Sequence, residues 1–257
     1  MSTYAEENIT YWTRRAPSYS DVNQEELSTS QHSVWSRVID QRIQSHFGNR
    51  SREQIHLLDV GTGPGFFAII LAELGYPVTA VDYTEAMLDQ ARKNAGPLAS
   101  VIDFRRMDAE QLTFPDGAFD VIVSRNLTWN LPSPDRAYSQ WARVLKQNGL
   151  LLNFDANWYR YLFSPEANVL HLEDRKNVRE SNAADDTAGT DVDAMEAIAR
   201  QAPLSSRRRP AWDLHILHGL GMSVSADQEI WKQVWTENER INNASTPMFL
   251  VYAVKAS

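Results

Sequence analysis

The sequence predicts an α/β protein: a mostly parallel sheet flanked by helices, with an antiparallel hairpin at its C-terminal edge. Two observations carry that expectation. Between Ile55 and Phe154, short apolar runs of strand length alternate with longer runs of helical character, the rhythm of right-handed crossovers between parallel strands. At the first of these junctions stands Gly61-Thr62-Gly63-Pro64-Gly65, a turn whose glycines let backbone come close to a ligand.

The elements follow in order. Tyr4 to Asn49 reads as helical, with Trp35, Val38, Ile39 and Ile43 on one apolar face and Gly48-Asn49 as the stop. Ile55 to Val60 is the first strand, and Phe66 to Leu74 a helix ended by Gly75. Val78 to Val81 is the second strand, with Asp82 at its end. Thr84 is placed to cap a helix that runs to Asn94 and stops at Gly96-Pro97. Ile102 to Arg106 makes a third strand. Phe119 to Ser124 makes a fourth, whose Val121-Ile122-Val123 has the β-branched character of a buried central strand. Ser133-Pro134 starts a helix that ends at Asn148-Gly149, and Leu150 to Phe154 is the fifth strand.

After Asp155 the alternation stops. Ala156 to Pro210 begins with aromatic residues and continues as an acidic, polar tract, so it reads as an insertion without a core of its own. Helix resumes near Trp212 to Leu220. Val224 to Trp235 and Met248 to Val254 read as two strands that pair antiparallel at the sheet edge. The expected organisation is a helical lid over 1–49 and an α/β domain over 50–257, with a cap insertion at about 156–211. In such sheets ligands bind beyond the carboxyl ends of the strands. Functional residues are therefore expected just after Val60, Val81, Met107, Val123 and Phe154.

Composition narrows the possibilities. The chain of 257 residues is 43% hydrophobic and 23% charged, with a formal net charge of -8. An acidic balance argues against a duplex nucleic-acid partner, which requires a basic field. With no cysteine, disulfides, thiolate metal sites and cysteine nucleophiles are excluded. No run approaches a membrane span, and Met1 to Arg15 lacks the apolar core of a signal peptide, so a cytoplasmic location is expected.

The spacing of the first turn is G-x-G-x-G rather than the dinucleotide fingerprint G-x-G-x-x-G. Asp59, two residues earlier, reads as an anion that would repel a pyrophosphate and suit an ammonium and a sulfonium. At this point the sequence resembles the class I S-adenosylmethionine-dependent methyltransferases, in their small-molecule, UbiE-like branch. Leu57 to Gly65 is similar to the family's first motif. By that resemblance Asp82 is the acid that holds the ribose hydroxyls, with Tyr83 beside it, and Met87 lies against the adenine. Met107-Asp108-Ala109-Glu110 resembles the third-strand motif, in which the acid accepts from the adenine amino group. Phe119 to Arg125 resembles the fourth-strand motif, and Arg143 to Leu150 the helix and strand that follow. Tyr11 to Tyr19 is similar to the segment that covers the cofactor in many small-molecule members, with Tyr11 and Tyr19 as its contacts. The resemblance thus implies a Rossmann-like class I methyltransferase fold (EC 2.1.1.-) with S-adenosylmethionine as cofactor and S-adenosylhomocysteine as product. Its cofactor-binding set would be Tyr11, Tyr19, Asp59, Gly61, Thr62, Gly63, Gly65, Asp82, Tyr83, Met87, Asp108, Ala109 and Arg125.

The acceptor is expected to be a small molecule bound by Asn126, Trp129, Trp158 and Tyr159, an aromatic and mostly apolar wall; burial of the insertion is the alternative role of these rings. Methyl transfer needs alignment and exclusion of water, and needs a base only where the acceptor loses a proton. Asp155, His171 and His215 are the candidates for that base. His215 and His218 share a helix face, but two histidines without a third ligand do not make a metal site. Arg207-Arg208-Arg209 reads as a grip for an anionic acceptor or as a solvated run. The long acidic insertion departs from the quinone-pathway and sterol branches and carries no acceptor signature. Two other readings stay open: an S-adenosylmethionine-binding protein without catalysis, and an NAD-dependent oxidoreductase. A monomer and a homodimer are equally compatible with the sequence.

Overall fold

The structure is a computed structural model, and it describes residues 3–48 and 50–256. The helices are α1 (Tyr4–Ser28), α2 (Ser30–Phe47), α3 (Phe66–Glu73), α4 (Glu85–Ala95), α5 (Pro134–Val144), α6 (Pro165–Glu180), α7 (Val192–Ala199), α8 (Ala211–Gly219), α9 (Trp231–Val234) and α10 (Glu237–Asn242). The strands are β1 (Leu57–Val60), β2 (Val78–Asp82), β3 (Asp103–Arg106), β4 (Phe119–Arg125), β5 (Leu145–Asp155), β6 (Met222–Asp227) and β7 (Phe249–Lys255).

All seven strands form one sheet in the order β3-β2-β1-β4-β5-β7-β6. The first five run parallel. β7 is antiparallel to both β5 and β6, so the sheet ends in the expected antiparallel pair. Alternate residues of each strand enter opposite cores. Leu57, Val121, Val123, Leu150 and Leu152 pack with α2 and α3. Leu58, Val60, Ile122 and Leu151 pack with Tyr138 and Trp141 of α5 and Leu217 of α8. Each such side chain taken fully out of water contributes about 1.5–3 kcal/mol. β4, buried on both faces at its centre, anchors both layers.

Four expectations are corrected. The run expected as one lid divides at Thr29: α1 stays outside, while α2 puts Trp35, Val38, Ile39 and Ile43 into the sheet core. Asn49, expected to help stop that helix, lies outside the described residues. α5 ends at Val144 rather than Asn148, because Leu145 already pairs with Phe119; the register then shifts before Val121 meets Leu150. Asn148 takes a left-handed φ of 57° in that irregular stretch. Thr84 precedes α4 but makes no capping bond; its hydroxyl donates to Asp82 instead. Finally, β6 ends at Asp227, and the rest of its expected run turns helical. Ile230 and Val234, four apart, are both buried there, the spacing of a helix face rather than a strand.

The order of the first five strands reverses between β1 and β4, which places a crevice at the carboxyl ends of those two strands. α1 lies across that end. It is tied down near its start by Tyr4 and Asn8 to Asn130, in its second half by Ser20 and Gln24 to Asn94, and at its end by Glu26 to Arg125. No helix among the described residues is long and apolar enough to cross a membrane.

Candidate functional site

A cavity of about 280 Å³ occupies the crevice beneath α1. Its floor begins at the glycine loop. Gly61 has a φ of +70°, and a Cβ there would sit 2.6 Å from a methyl of Leu127. Gly63, at φ +53°, would aim its Cβ at the Tyr19 ring, 3.6 Å away. Both positions demand glycine for backbone conformation, and Gly61 for space as well.

Beside the loop, Asp82 ends β2. Its Oδ2 accepts from the Gly63 amide at 3.0 Å, and its Oδ1 accepts from the amide and hydroxyl of Thr84 at 2.9 and 2.7 Å. The carboxylate is thereby fixed in orientation while it lines the cavity. Burial pushes its pKa upward, and the bonds from Thr84 and Gly63 oppose that rise. Asp108, after β3, uses Oδ1 to accept from the Glu110 amide at 2.8 Å. It therefore caps its turn and still lines the cavity. Tyr83, Met87, Met107 and Ala109 complete this end. Trp141 holds it from behind, donating from Nε1 to the Ala109 carbonyl at 3.0 Å.

The other end is built by β4 and α1. Arg125 lines the cavity and forms a paired bond to Glu26, Nη1 to Oε1 at 2.7 Å and Nη2 to Oε2 at 2.8 Å. Its guanidinium also lies about 5 Å from the ring centres of Trp35, Phe66 and Phe67. Burial alone would lower its pKa, but Glu26 outweighs burial and leaves it raised. Asn126 follows with a left-handed φ of 56°. Asn126 lines the cavity, and its Oδ1 is buried without a hydrogen-bond partner. From α1 come Ala5, Asn8, Ile9, Trp12 and Tyr19; burial raises the Tyr19 pKa.

Of the expected cofactor residues, Tyr19, Gly61, Gly63, Asp82, Tyr83, Met87, Asp108, Ala109 and Arg125 meet in this cavity. Tyr11, Asp59, Thr62 and Gly65 do not line it. Tyr11 packs edge-on against Trp12 in the cap cluster. The Oδ2 of Asp59 points behind the loop, accepting from Thr62 Oγ1 at 2.6 Å and from the Ala68 amide at 3.1 Å. Asp59 thus shapes the turn, and the negative charge that would oppose a pyrophosphate comes instead from Asp82 and Asp108. Gly65 opens α3 at φ +96°, packed on Ala91.

The expected acceptor wall is largely elsewhere. Asn126 lines the cavity, whereas Trp129, Trp158 and Tyr159 pack the residues after β5 onto it. Trp129 stands 4.8 Å from Tyr159 and donates to the Asn126 carbonyl at 3.0 Å. Met195, Ile198 and Ala199 of α7 join them, so the insertion has a small core borrowed from the site loop.

None of the three expected bases reaches the cavity. His171 stacks on Tyr161 at 3.8 Å, and His215 is exposed on α8. Asp155 is wholly buried and fully engaged. Its Oδ2 accepts from Thr128 Oγ1 at 2.6 Å, the Trp129 amide at 3.0 Å and Arg209 Nη1 at 2.6 Å; its Oδ1 accepts from the Ala156 amide. Arg209 also bonds Asp213, so the arginine run splits into one buried residue and two exposed ones. Among the described residues, no group of three or more His, Asp or Glu is placed to hold a metal. The α1 contribution was missed beyond Tyr19, although Ala5, Asn8, Ile9, Trp12, Ala16 and Tyr19 fall at helical spacing and would have marked one face.

A glycine turn and two strand-end acids line one crevice at the carboxyl ends of the parallel strands, where ligands bind in open α/β sheets. Comparison with known proteins narrows the class. Residues 58–153 match the family described as the methyltransferase domain. The ubiquinone biosynthesis O-methyltransferase of Coxiella burnetii is 33% identical over 111 residues, which cover 42% of this chain and 47% of that protein. The chain thus spans about half the length of the curated relatives it matches. A solved S-adenosylmethionine-dependent methyltransferase from Mesorhizobium loti superposes with a TM-score of 0.53 at 18% identity, over 80% of this chain and 93% of that one. The [4+2]-cyclase SpnF superposes equally well, 0.53 at 18% over 86% and 81% of the two chains. The fold is therefore shared by proteins of more than one activity.

Proposed function

We propose that the cavity under α1 binds S-adenosylmethionine and that the protein transfers its methyl group to a small-molecule acceptor. The observation that carries this reading is the pair of strand-end carboxylates, Asp82 and Asp108. Both line one cavity with Gly61 and Gly63, and both are held in place by backbone amides. Asp82 fits a ribose diol, because a carboxylate forms strong charge-assisted bonds with hydroxyl donors. Asp108, with Met87 and Met107 nearby, fits an adenine edge. Asn126 Oδ1, buried and unpartnered, suits an ammonium or another N–H donor at the opposite end.

When bound, S-adenosylmethionine supplies a methyl carbon already activated by a sulfonium. The work left to the chain is positioning and dryness. α1 closes the top, latched at Asn130, Asn94 and Arg125. Trp12 and Tyr19 line the cavity with aromatic rings, and the face of such a ring attracts a cation. Because no expected base lines the cavity, the reading favours acceptors that are nucleophilic without enzymic deprotonation. α1 serves as the lid in this account, and residues 156–211 as a cap.

Calorimetry with S-adenosylmethionine, S-adenosylhomocysteine and NAD tests the ligand. The first two should bind and NAD should not; the reverse order would sink the proposal. Transfer of labelled methyl over a panel of amines, thiols and phenols then tests the reaction. The same panel tests a second reading, a binding protein that holds the nucleoside without methylating. Tight binding with no labelled product from any acceptor would select it.

A further inference from the structure

A second cavity, of about 420 Å³, opens between the start of α6 and the turn before β7, and it shares no lining residue with the first. Its wall is chemically divided. Leu170, Pro247 and Phe249 give it an apolar side, and Leu170 keeps 53% of its surface exposed. Arg160 and Arg208 give it charge. Among the described residues neither has a carboxylate within ion-pair distance. Arg160 donates once, to the Ser206 carbonyl at 3.1 Å. One carboxylate, the exposed Glu166, lines the same cavity and accepts from Ser164 at 2.7 Å. Two guanidiniums against one carboxylate leave a net positive charge. The neighbouring Arg209 adds none, because Asp155 and Asp213 already engage it. Ser245 contributes a buried hydroxyl oxygen without a hydrogen-bond partner.

A concave wall with two guanidiniums that have no carboxylate within ion-pair distance is suited to one ligand chemistry. The planar fork of arginine matches the paired oxygens of a carboxylate or phosphate. The apolar side opposes a bare inorganic ion, which would leave the exposed Leu170 and Pro247 facing water. We propose that this cavity binds an amphipathic organic anion. Its carboxylate or phosphate is held by Arg160 and Arg208, and its apolar body lies against Leu170 and Pro247. The anion is either the far end of a long acceptor or a separate ligand.

Octyl phosphate is the probe and octanol its uncharged control, titrated calorimetrically into the full chain. Octyl phosphate should bind at least tenfold more tightly than octanol. The double variant Arg160→Ala/Arg208→Ala should lose tenfold or more of that affinity. Arg208→Glu alone, at an exposed position, should do the same with its melting temperature unchanged. Failure of octyl phosphate to bind the unaltered chain, or equal binding by these variants, overturns the proposal. A titration with S-adenosylhomocysteine present separates the sources: severalfold tighter binding marks the acceptor's own anion, and an unchanged affinity marks a separate ligand. S-adenosylmethionine affinity should be the same in every variant, so the outcome here is independent of the methyl-transfer reading.

Discussion

Acids at the carboxyl ends of strands on the two sides of the sheet are used by the protein in opposite ways. Asp82 and Asp108, after β2 and β3, take their hydrogen bonds from backbone amides and the hydroxyl of Thr84, and they line the cavity. Asp155, after β5, and its partner Asp213 on α8 are closed on Arg209 with no exposure at all. An amide orients a carboxylate without cancelling its charge, so the first pair stays available to a ligand. Arg209 pairs with both carboxylates at once and offsets part of their charge, so the second pair is a fastener. It joins the turn before α8 to the loop carrying Thr128 and Trp129, and Tyr138 and Asn153 extend it into the core. Topological position alone does not make an acid functional; its partner does.

Removing the fastener should give the largest effect. Arg209→Ala leaves two buried carboxylates without their cation, and breaking a buried pair in this way costs about 3–5 kcal/mol. Urea unfolding should show that loss. A loss below about 1 kcal/mol would mean that the cluster relaxes into water, and the contrast with Asp82 would fail.

Asp59 lies between the two groups in character, since it is buried like Asp155 yet bonded only by neutral donors. Burial pushes its pKa up to about 7 from the ordinary 3.8, against the bonds from Thr62 and Ala68. The folded protein therefore keeps this proton after the unfolded chain has released it. Stability from this group is greatest below the unfolded value and declines as pH rises toward the folded one, by roughly 1.4 kcal/mol for each pH unit between the two. Asp59→Asn should remove that decline between about pH 4 and about pH 7 in denaturation curves. An unchanged pH profile would place the charge of Asp59 in contact with solvent.

The legible part of the molecule was the part where local sequence and tertiary role coincide. The glycine turn, the acids at 82 and 108 and the β-branched centre of β4 each announce themselves within a few residues, because backbone conformation and burial are local demands. Asp155 matched the same positional rule and yet lies outside the cavity. Its fate depends on Arg209, 54 residues later, and no local pattern carries that pairing. The aromatics after Asp155 have the same difficulty. Trp129, Trp158 and Tyr159 suit a ligand wall and a packing surface equally well, and α7 decided between them by supplying Met195 and Ile198. α2 was absorbed into the core for a related reason. Its apolar face was evident, but nothing in the sequence said what would cover it.

The sharpest test sets Asp82 against Asp155 with the same measurement. A hydrogen bond to a charged group contributes about 1.5–3 kcal/mol, so Asp82→Ala should weaken S-adenosylmethionine binding roughly ten- to a hundredfold in calorimetry. Because Asp82 is held only by neutral donors, Thr84 of its own loop and Gly63 of the glycine loop, unfolding should change less than it does for Asp155→Asn. Asp155→Asn should behave in the converse way, lowering stability while leaving cofactor affinity within about twofold. If instead the two substitutions weaken binding equally, the Asp155–Arg209 cluster reaches the nucleoside through the loop at Thr128. The division between ligand-facing and fastening acids would then be one of degree.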